Sequence, residues 1–122
     1  MAGSGSQPSR PPPAATRLPA GPAFDNLFSR GRSVANQFLI LKYMPNSYDR
    51  TRWGFAVGRR LAPSAVMRNR LRRRLRSIAR DSDAPEGVDI VIITRAGALT
   101  APPMLLRQAL EQLLARIRAK KE

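Results

Sequence analysis

Arginine dominates one short stretch of the chain, Ser64 to Arg80, and gives it a binding chemistry of its own. The stretch holds seven arginines in 17 residues and no acidic residue. Between Arg50 and Arg80 there are eleven arginines, with no lysine and no carboxylate. Arginine makes planar, bidentate hydrogen bonds to phosphate and stacks on nucleic-acid bases. The composition of this zone therefore predicts a polyanion-binding surface.

The element that must carry these arginines is a helix, which Pro63 and Ser64 are suited to start. Apolar residues at helical spacing are expected to form its buried face, comprising Val66, Met67, Leu71, Leu75 and Ile78. Arginines four residues apart form a stripe on the other side, made of Arg68, Arg72, Arg76 and Arg80 and widened by Arg70, Arg73 and Arg74. A merely solvated helix face usually alternates the sign of its charges. We therefore interpret the stripe as a binding surface.

Length and charge narrow the class of protein. The chain has 122 residues, a net charge of +14, no cysteine and no histidine. Nucleic acid is the first candidate partner for such a charge, and an anionic membrane surface the second. Disulfides and thiolate zinc sites are excluded, and the commonest general base is missing. No apolar run approaches the roughly 20 residues of a membrane-spanning helix.

The chain divides into a tail and one domain. Residues 1–21 are rich in Pro, Gly, Ser and Ala, and we expect them to be disordered. Organelle targeting is a weaker interpretation of this segment, because its prolines oppose an amphipathic helix. Residues 22–120 are expected to form a single folded RNA-binding domain.

The expected elements follow the order helix, two or three strands, helix, strand, helix. The first helix begins near Pro22 and carries Phe24, Leu27 and Phe28 on one face. The expected strands cover residues 37–44, 52–60 and 88–95, and the last helix runs from Pro103 to about Lys120. This order predicts an α+β fold with one small sheet that carries three helices.

Four segments resemble the bacterial ribonuclease P protein component, and they follow one another along the chain in the same order as in that family. AVMRNRLRRRLR (Ala65–Arg76) is similar to the RNR signature of that family. The others are FDNLFSRGRSVAN (Phe24–Asn36), RWGFAVGRRL (Arg52–Leu61) and DIVIITRAGA (Asp89–Ala98). The resemblance extends from about Phe24 to Lys120. One departure is TRLPAGPA (Thr16–Ala23), which stands where the family usually has a basic stretch.

The resemblance implies a fold and a function. The fold is a two-layer α/β sandwich like domain 2 of ribosomal protein S5, with a left-handed crossover between parallel strands. The function is that of the protein subunit of ribonuclease P, which removes the 5′ leader from precursor tRNA. In this family the RNA supplies the active site and holds the catalytic magnesium, so no cofactor is assigned to the protein. The implied partners are the catalytic RNA, with one protein per RNA, and the 5′ leader, but no membrane. We expect a cytoplasmic location, which agrees with the lack of cysteine and of a membrane segment.

The acidic residues agree with a protein that does not cleave RNA itself. Metal-assisted phosphodiester cleavage by a protein needs clustered carboxylates. The eight acids of this chain are scattered along the sequence, and none lies between Arg50 and Arg80. We therefore expect no catalytic residue and no metal ligand in the protein.

The resemblance implies that two surfaces of the protein bind RNA. The first docks on the catalytic RNA and comprises Arg68, Asn69, Arg70, Arg72, Arg73 and Arg76. The second is a cleft between the first helix and the sheet, which takes the leader through Phe24, Phe28, Lys42, Arg52, Arg59, Arg60 and Arg95. Phe24 and Phe28 could instead be ordinary core residues. Either Lys42 or its neighbour Tyr43 faces the cleft, and the choice stays open.

Three further points stay open at this stage. Asn69 could contact RNA, brace a neighbouring arginine or bond to a nearby loop. Trp53 is expected in the core and Tyr48 in a turn. The alternative function is a non-catalytic RNA-binding module of the ribosomal or RNA-chaperone type that uses the same arginines. A membrane-surface protein is rejected, because the apolar face of the arginine-rich helix lies opposite its charged stripe.

Overall fold

A four-stranded mixed sheet organises the molecule, which we describe from a computed structural model covering residues 17–19 and 21–121. The elements in chain order are α1 (Pro22–Arg30), β1 (Arg32–Ala35), β2 (Leu39–Pro45), β3 (Arg52–Ala56), α2 (Ala65–Arg80), β4 (Val88–Thr94), a short 3-10 helix (Ala96–Leu99) and α3 (Pro103–Lys121). The predicted α+β class with three helices is confirmed. Two or three strands were expected before α2, and the structure has three, of which β1 is the additional one.

The strand order in the sheet is β1-β2-β4-β3. β2 is antiparallel to both β1 and β4, whereas β3 and β4 run parallel. Parallel neighbours need a crossover connection, and α2 supplies it. The handedness of this crossover stays a prediction from the family resemblance. The register places Lys42, Val91 and Gly54 in one row across three strands.

The two faces of the sheet are covered differently. α2 and α3 pack on one face, where the core includes Trp53, Leu75 and Ile90. α1 crosses the other face, where Leu27 and Val91 form a smaller buried cluster. Because side chains alternate along a strand, β2, β3 and β4 each contribute to both clusters, whereas β1 contributes only Val34, to the larger one. The expectation that Trp53 is a core residue is confirmed, since it is 1% exposed.

The segment before α1 also takes part in the fold. The backbone N–H of Leu18 donates to the Trp53 carbonyl at 2.8 Å, and Arg17 forms a parallel bridge to Trp53. The Leu18 side chain is buried with Leu27 and Val91. The predicted tail thus includes residues that lie against the edge of β3, while residues 1–16 lie outside the described part of the chain.

The buried face of α2 is shorter than the sequence predicts. Leu71, Leu75 and Ile78 are buried, as expected. Val66 is 65% exposed and Met67 38% exposed, so the prediction for these two residues is wrong. Both lie in the first turn of the helix. Helical spacing places them near the apolar face, but it does not show where the underlying sheet ends.

Candidate nucleic-acid interface

Helix α2 starts at a well-formed cap. The Ser64 hydroxyl accepts hydrogen bonds from the backbone N–H groups of Val66 and Met67 at 3.2 and 3.4 Å. Such a cap satisfies N–H groups that have no partner within the helix. The cap and the packing of the apolar face hold α2 in place against the mutual repulsion of its arginines.

The arginines of α2 point in three directions. One flank, with Arg72 and Arg76, faces the outer edge of β3. The opposite flank, with Arg70 and Arg74, faces Leu99. Arg73 lies between the two flanks and is exposed. The predicted stripe is therefore a ridge with two sides.

Two residues of the predicted RNA-binding set also act within the protein. Arg68 Nη1 donates to the carbonyl oxygens of Ala62 and Pro63 at 3.0 and 2.8 Å, which secures the loop before α2. The Asn69 side-chain oxygen accepts from Arg72 Nη1 at 3.2 Å. Asn69 therefore braces a neighbouring arginine, which was one of the three open roles. Its own side chain stays exposed.

On the other face of the sheet, α1 carries two aromatic rings beside a lysine. Phe24 and Phe28 are stacked, with 6.0 Å between ring centroids and 12° between planes. Lys42 Nζ lies 5.7 Å from the centroid of the Phe28 ring. Lys42 thus lies on the α1 face, whereas Tyr43 points to the opposite core and is buried. This answers the question of which residue faces the cleft.

The two phenylalanines differ in burial. Phe24 packs on the sheet at Gly54, where an added Cβ would stand 3.0 Å from its ring. Phe28 is 43% exposed. Phe24 is therefore partly a packing residue, and Phe28 offers the accessible ring face.

The cleft beside α1 has an apolar floor and a basic end. Ile40, Ile93 and Ala56 are paired across three strands and half-buried. Arg59, Arg60 and Arg95 follow β3 and β4 at the same end of the sheet, and all three are exposed. Arg95 Nη1 donates to the Asn36 carbonyl at 3.1 Å, which restrains its position. The cleft can therefore offer cations on one side and aromatic rings on the other.

Arg52, in contrast, is engaged inside the protein. Its Nε and Nη2 donate to the two carboxylate oxygens of Asp89 at 2.8 and 2.7 Å. The guanidinium group also lies 4.5 Å from the centroid of the Tyr48 ring. The hydrogen bonds that Arg52 donates to the Asp89 carboxylate raise the pKa of Arg52 above its ordinary value, against the opposing effect of burial. The positive charge of Arg52 is thus balanced by a buried carboxylate, and its side chain is only 15% exposed.

Sequence reasoning missed two partners in this region. Arg17 lies beside β3 although it was assigned to the tail, and Asp89 was treated only as one of the scattered acids. The sequence carries no local signal for either contact, because each depends on strand pairing between distant segments. Tyr48 lies in the loop between β2 and β3, as expected.

Neither a cluster of metal-ligating side chains nor a membrane-spanning helix occurs in the described part of the chain. Within residues 17–19 and 21–121, no group of three or more acidic side chains is placed to hold a metal ion. None of the described helices combines the length and apolar character that a bilayer crossing requires.

Comparisons with known proteins give a consistent result. Residues 13–118 match the family model for ribonuclease P. The chain is 41% identical over 105 residues to the ribonuclease P protein component of Symbiobacterium thermophilum, covering 84% of this chain and 90% of that protein. It is 34% identical over 101 residues to that of Caldanaerobacter subterraneus, covering 81% and 86%.

Solved structures agree. The RNase P protein from Thermotoga maritima superposes with a TM-score of 0.75 at 31% identity, covering 82% of this chain and 96% of that chain. The RNase P protein of Staphylococcus aureus superposes with a TM-score of 0.72 at 27% identity, covering 85% and 95%.

Proposed function

Since this chain belongs to the ribonuclease P protein family and is a subunit of that tRNA-processing ribonucleoprotein, we propose that it binds RNA through two surfaces with different tasks. The outer ridge of α2 docks on the catalytic RNA, and the cleft beside α1 holds the 5′ leader of precursor tRNA. The observation that carries this proposal is their placement on opposite faces of one sheet. One protein can then contact two RNA segments at once.

The docking surface is proposed to consist of the outward-facing residues of α2. Asn69, Arg70 and Arg73 are exposed along this ridge. Arginine at such a site binds phosphate bidentately and does not lose its charge. Each neutralised phosphate releases counterions, so the affinity for RNA should fall steeply with salt, with a log–log slope of roughly −0.7 to −0.9 per contact. Arg68 supports this surface through the loop before α2 and adds charge to it.

The leader surface is proposed to read an unpaired strand without regard to its sequence. The exposed ring of Phe28 can stack on any base, which contributes about 1–3 kcal/mol per base. Lys42 beside that ring, together with Arg59, Arg60 and Arg95, supplies positive charge for the phosphates. Arg52 is placed outside this set, because Asp89 already holds its guanidinium group.

The chemical step is assigned to the RNA. The protein brings no histidine and no cysteine, and its role is to position the substrate. We propose that catalytic magnesium is held by the RNA, with no metal assigned to the protein. By holding the leader while the RNA holds the rest of the substrate, the protein adds binding energy outside the reacting bond.

The test is cleavage of precursor tRNA by a bacterial ribonuclease P RNA at low magnesium concentration, with and without this protein. We expect stimulation that grows with leader length, and no cleavage by the protein alone. Stimulation that is the same with and without a leader would contradict the leader surface. If the protein does not stimulate cleavage by a cognate RNA, a general RNA-binding module is favoured. Cleavage by the protein alone would contradict the assignment of the chemistry to RNA.

The two surfaces can be separated by matched variants. Arg73→Gln removes an exposed charge from α2, and Phe28→Leu removes an aromatic ring from the cleft. Arg73→Gln should weaken association with the catalytic RNA and leave the dependence on the leader intact. Phe28→Leu should reduce the dependence on the leader and leave association with the catalytic RNA intact. If both variants weaken the same step, the division of tasks is wrong.

A further inference from the structure

The outer edge of β3 carries a groove that neither proposed surface contains. It has a volume of about 330 Å³ and lies between α1, α2 and the segment before α1. Its walls include three arginines, Arg17, Arg72 and Arg76, and two phenylalanines, Phe24 and Phe55. Among its described lining residues there is no carboxylate. Cations interleaved with aromatic rings are the chemistry of a nucleotide site.

The groove is held in shape by contacts on each side. The Leu18–Trp53 backbone hydrogen bond ties the segment that carries Arg17 to β3. Arg72 is braced by Asn69. The guanidinium group of Arg76 lies 5.5 Å from the centroid of the Phe55 ring. Since Arg72 and Arg76 are one helical turn apart, both can converge on the same phosphate.

The groove continues the cleft beside α1. Phe24 lines the groove and is also stacked on Phe28, the ring at the centre of the cleft. An RNA strand that runs along α1 toward β3 therefore leaves the cleft at this groove. Arg70 and Arg74, on the other flank of α2, face Leu99 and do not line it.

We infer that this groove is a nucleotide subsite for the leader, in which Arg17, Arg72 and Arg76 hold a phosphate of the strand that leaves the cleft. The inference rests on the proposed function and deepens it. It places Arg72 and Arg76, which the family resemblance assigns to docking on the catalytic RNA, on the path of the substrate instead. It also gives the segment before α1 a role in binding.

The experiment measures the affinity of the assembled holoenzyme for precursor tRNAs whose leaders lengthen one nucleotide at a time. With the wild-type protein the affinity should rise in steps. Arg72→Gln and Arg76→Gln should remove the step contributed by the groove, a loss of about tenfold, which corresponds to one charge-assisted hydrogen bond at the low end of its usual strength. Arg17→Gln should act on the same step. None of the three should change affinity for the shortest leader.

Arg70→Gln is the matched control, since it removes the same charge from the other flank of α2. It should weaken binding of the protein to the catalytic RNA and keep every step of the leader series. Arg76→Lys keeps the charge and should recover most of the lost step, whereas a purely structural role of Arg76 would not be rescued in this way. A thermal melt of each variant confirms that it is folded.

The possible outcomes separate this inference from the proposed function. If Arg72→Gln and Arg76→Gln weaken binding to the catalytic RNA and keep every leader step, the groove belongs to the docking surface and the inference is wrong. If the wild-type holoenzyme shows no dependence on leader length, the proposed leader surface itself fails. Loss of only the groove step, with assembly unchanged, would establish the subsite.

Discussion

Replacing Arg52 should damage the stability of the protein and leave its RNA binding intact. Asp89 is 5% exposed, and Arg52 donates two hydrogen bonds to it at 2.8 and 2.7 Å. In Arg52→Met the carboxylate would keep only the Asn46 amide as a described side-chain donor. Breaking a buried ion pair from one side costs about 3–5 kcal/mol. Because the Arg52 side chain is 15% exposed, we expect the low end, about 3 kcal/mol.

Such a loss is large for a domain of this size. Small domains have free energies of unfolding of roughly 5–15 kcal/mol. For a domain of up to about 100 residues, 3 kcal/mol corresponds to a fall in melting temperature of roughly 12–24 °C. Urea unfolding of Arg52→Met, Asp89→Leu and the double variant forms a double-mutant cycle. The double variant should recover much of the lost stability, because it leaves no buried charge unpaired.

The same variants test the role of Arg52 at the cleft. Measured well below its melting temperature, Arg52→Met should bind a precursor tRNA leader as the wild type does. A stability change below about 1 kcal/mol, the range of a solvent-exposed ion pair, together with weaker leader binding would refute the reasoning. Arg52 would then be a phosphate ligand, as the family resemblance implies.

Other substitutions probe the cleft and the core. Phe28→Ala should cost about 1–2 kcal/mol of stability, because the ring is 43% exposed. It should also weaken binding of the leader by about 1–3 kcal/mol through the loss of base stacking, as measured by titration with single-stranded RNA. Leu75→Ala, at a fully buried position, should lower the free energy of unfolding by about 2–5 kcal/mol, and a smaller change in urea unfolding would mean that the site collapses around the cavity. Ser64→Ala should cost about 1 kcal/mol through loss of the cap of α2, and Ser64→Asp should restore it in thermal melts. Gly31→Ala should be destabilising, because its Cβ would stand 2.5 Å from the Leu27 carbonyl oxygen; an unchanged melting temperature would contradict this.

The elements of this fold were largely predictable because their patterns are local. Apolar spacing predicted Leu71, Leu75 and Ile78 on the buried side of α2, and the apolar stretch 88–95 predicted the strand that forms β4 (Val88–Thr94). The sequence left open whether two or three strands precede α2, because β1 has four residues and only Val34 is buried. A strand that short acquires its conformation from pairing with β2.

The site was predictable in residue type and less so in arrangement. The charge pattern predicted α2 as the helix that binds RNA, and this stays a prediction. The pattern could not show that Arg72 and Arg70 face different neighbours. Family resemblance predicted Arg52 as a leader-binding residue, but it did not reveal that Arg52 pairs with Asp89, which lies on another strand. The choice between Lys42 and Tyr43 needed the strand register. Each of these features depends on tertiary contacts that no local pattern contains.

The segment before α1 also affects how the protein meets other copies of itself. An open sheet edge exposes backbone groups that can pair with another chain and start aggregation. At the β3 edge, Leu18 occupies the Trp53 carbonyl, and the following residue, Pro19, has no N–H to donate. At the other edge, β1 is short, and Arg116 donates to the Ala35 carbonyl at 3.1 Å. Both edges are therefore partly protected against the addition of a strand from another copy of the protein.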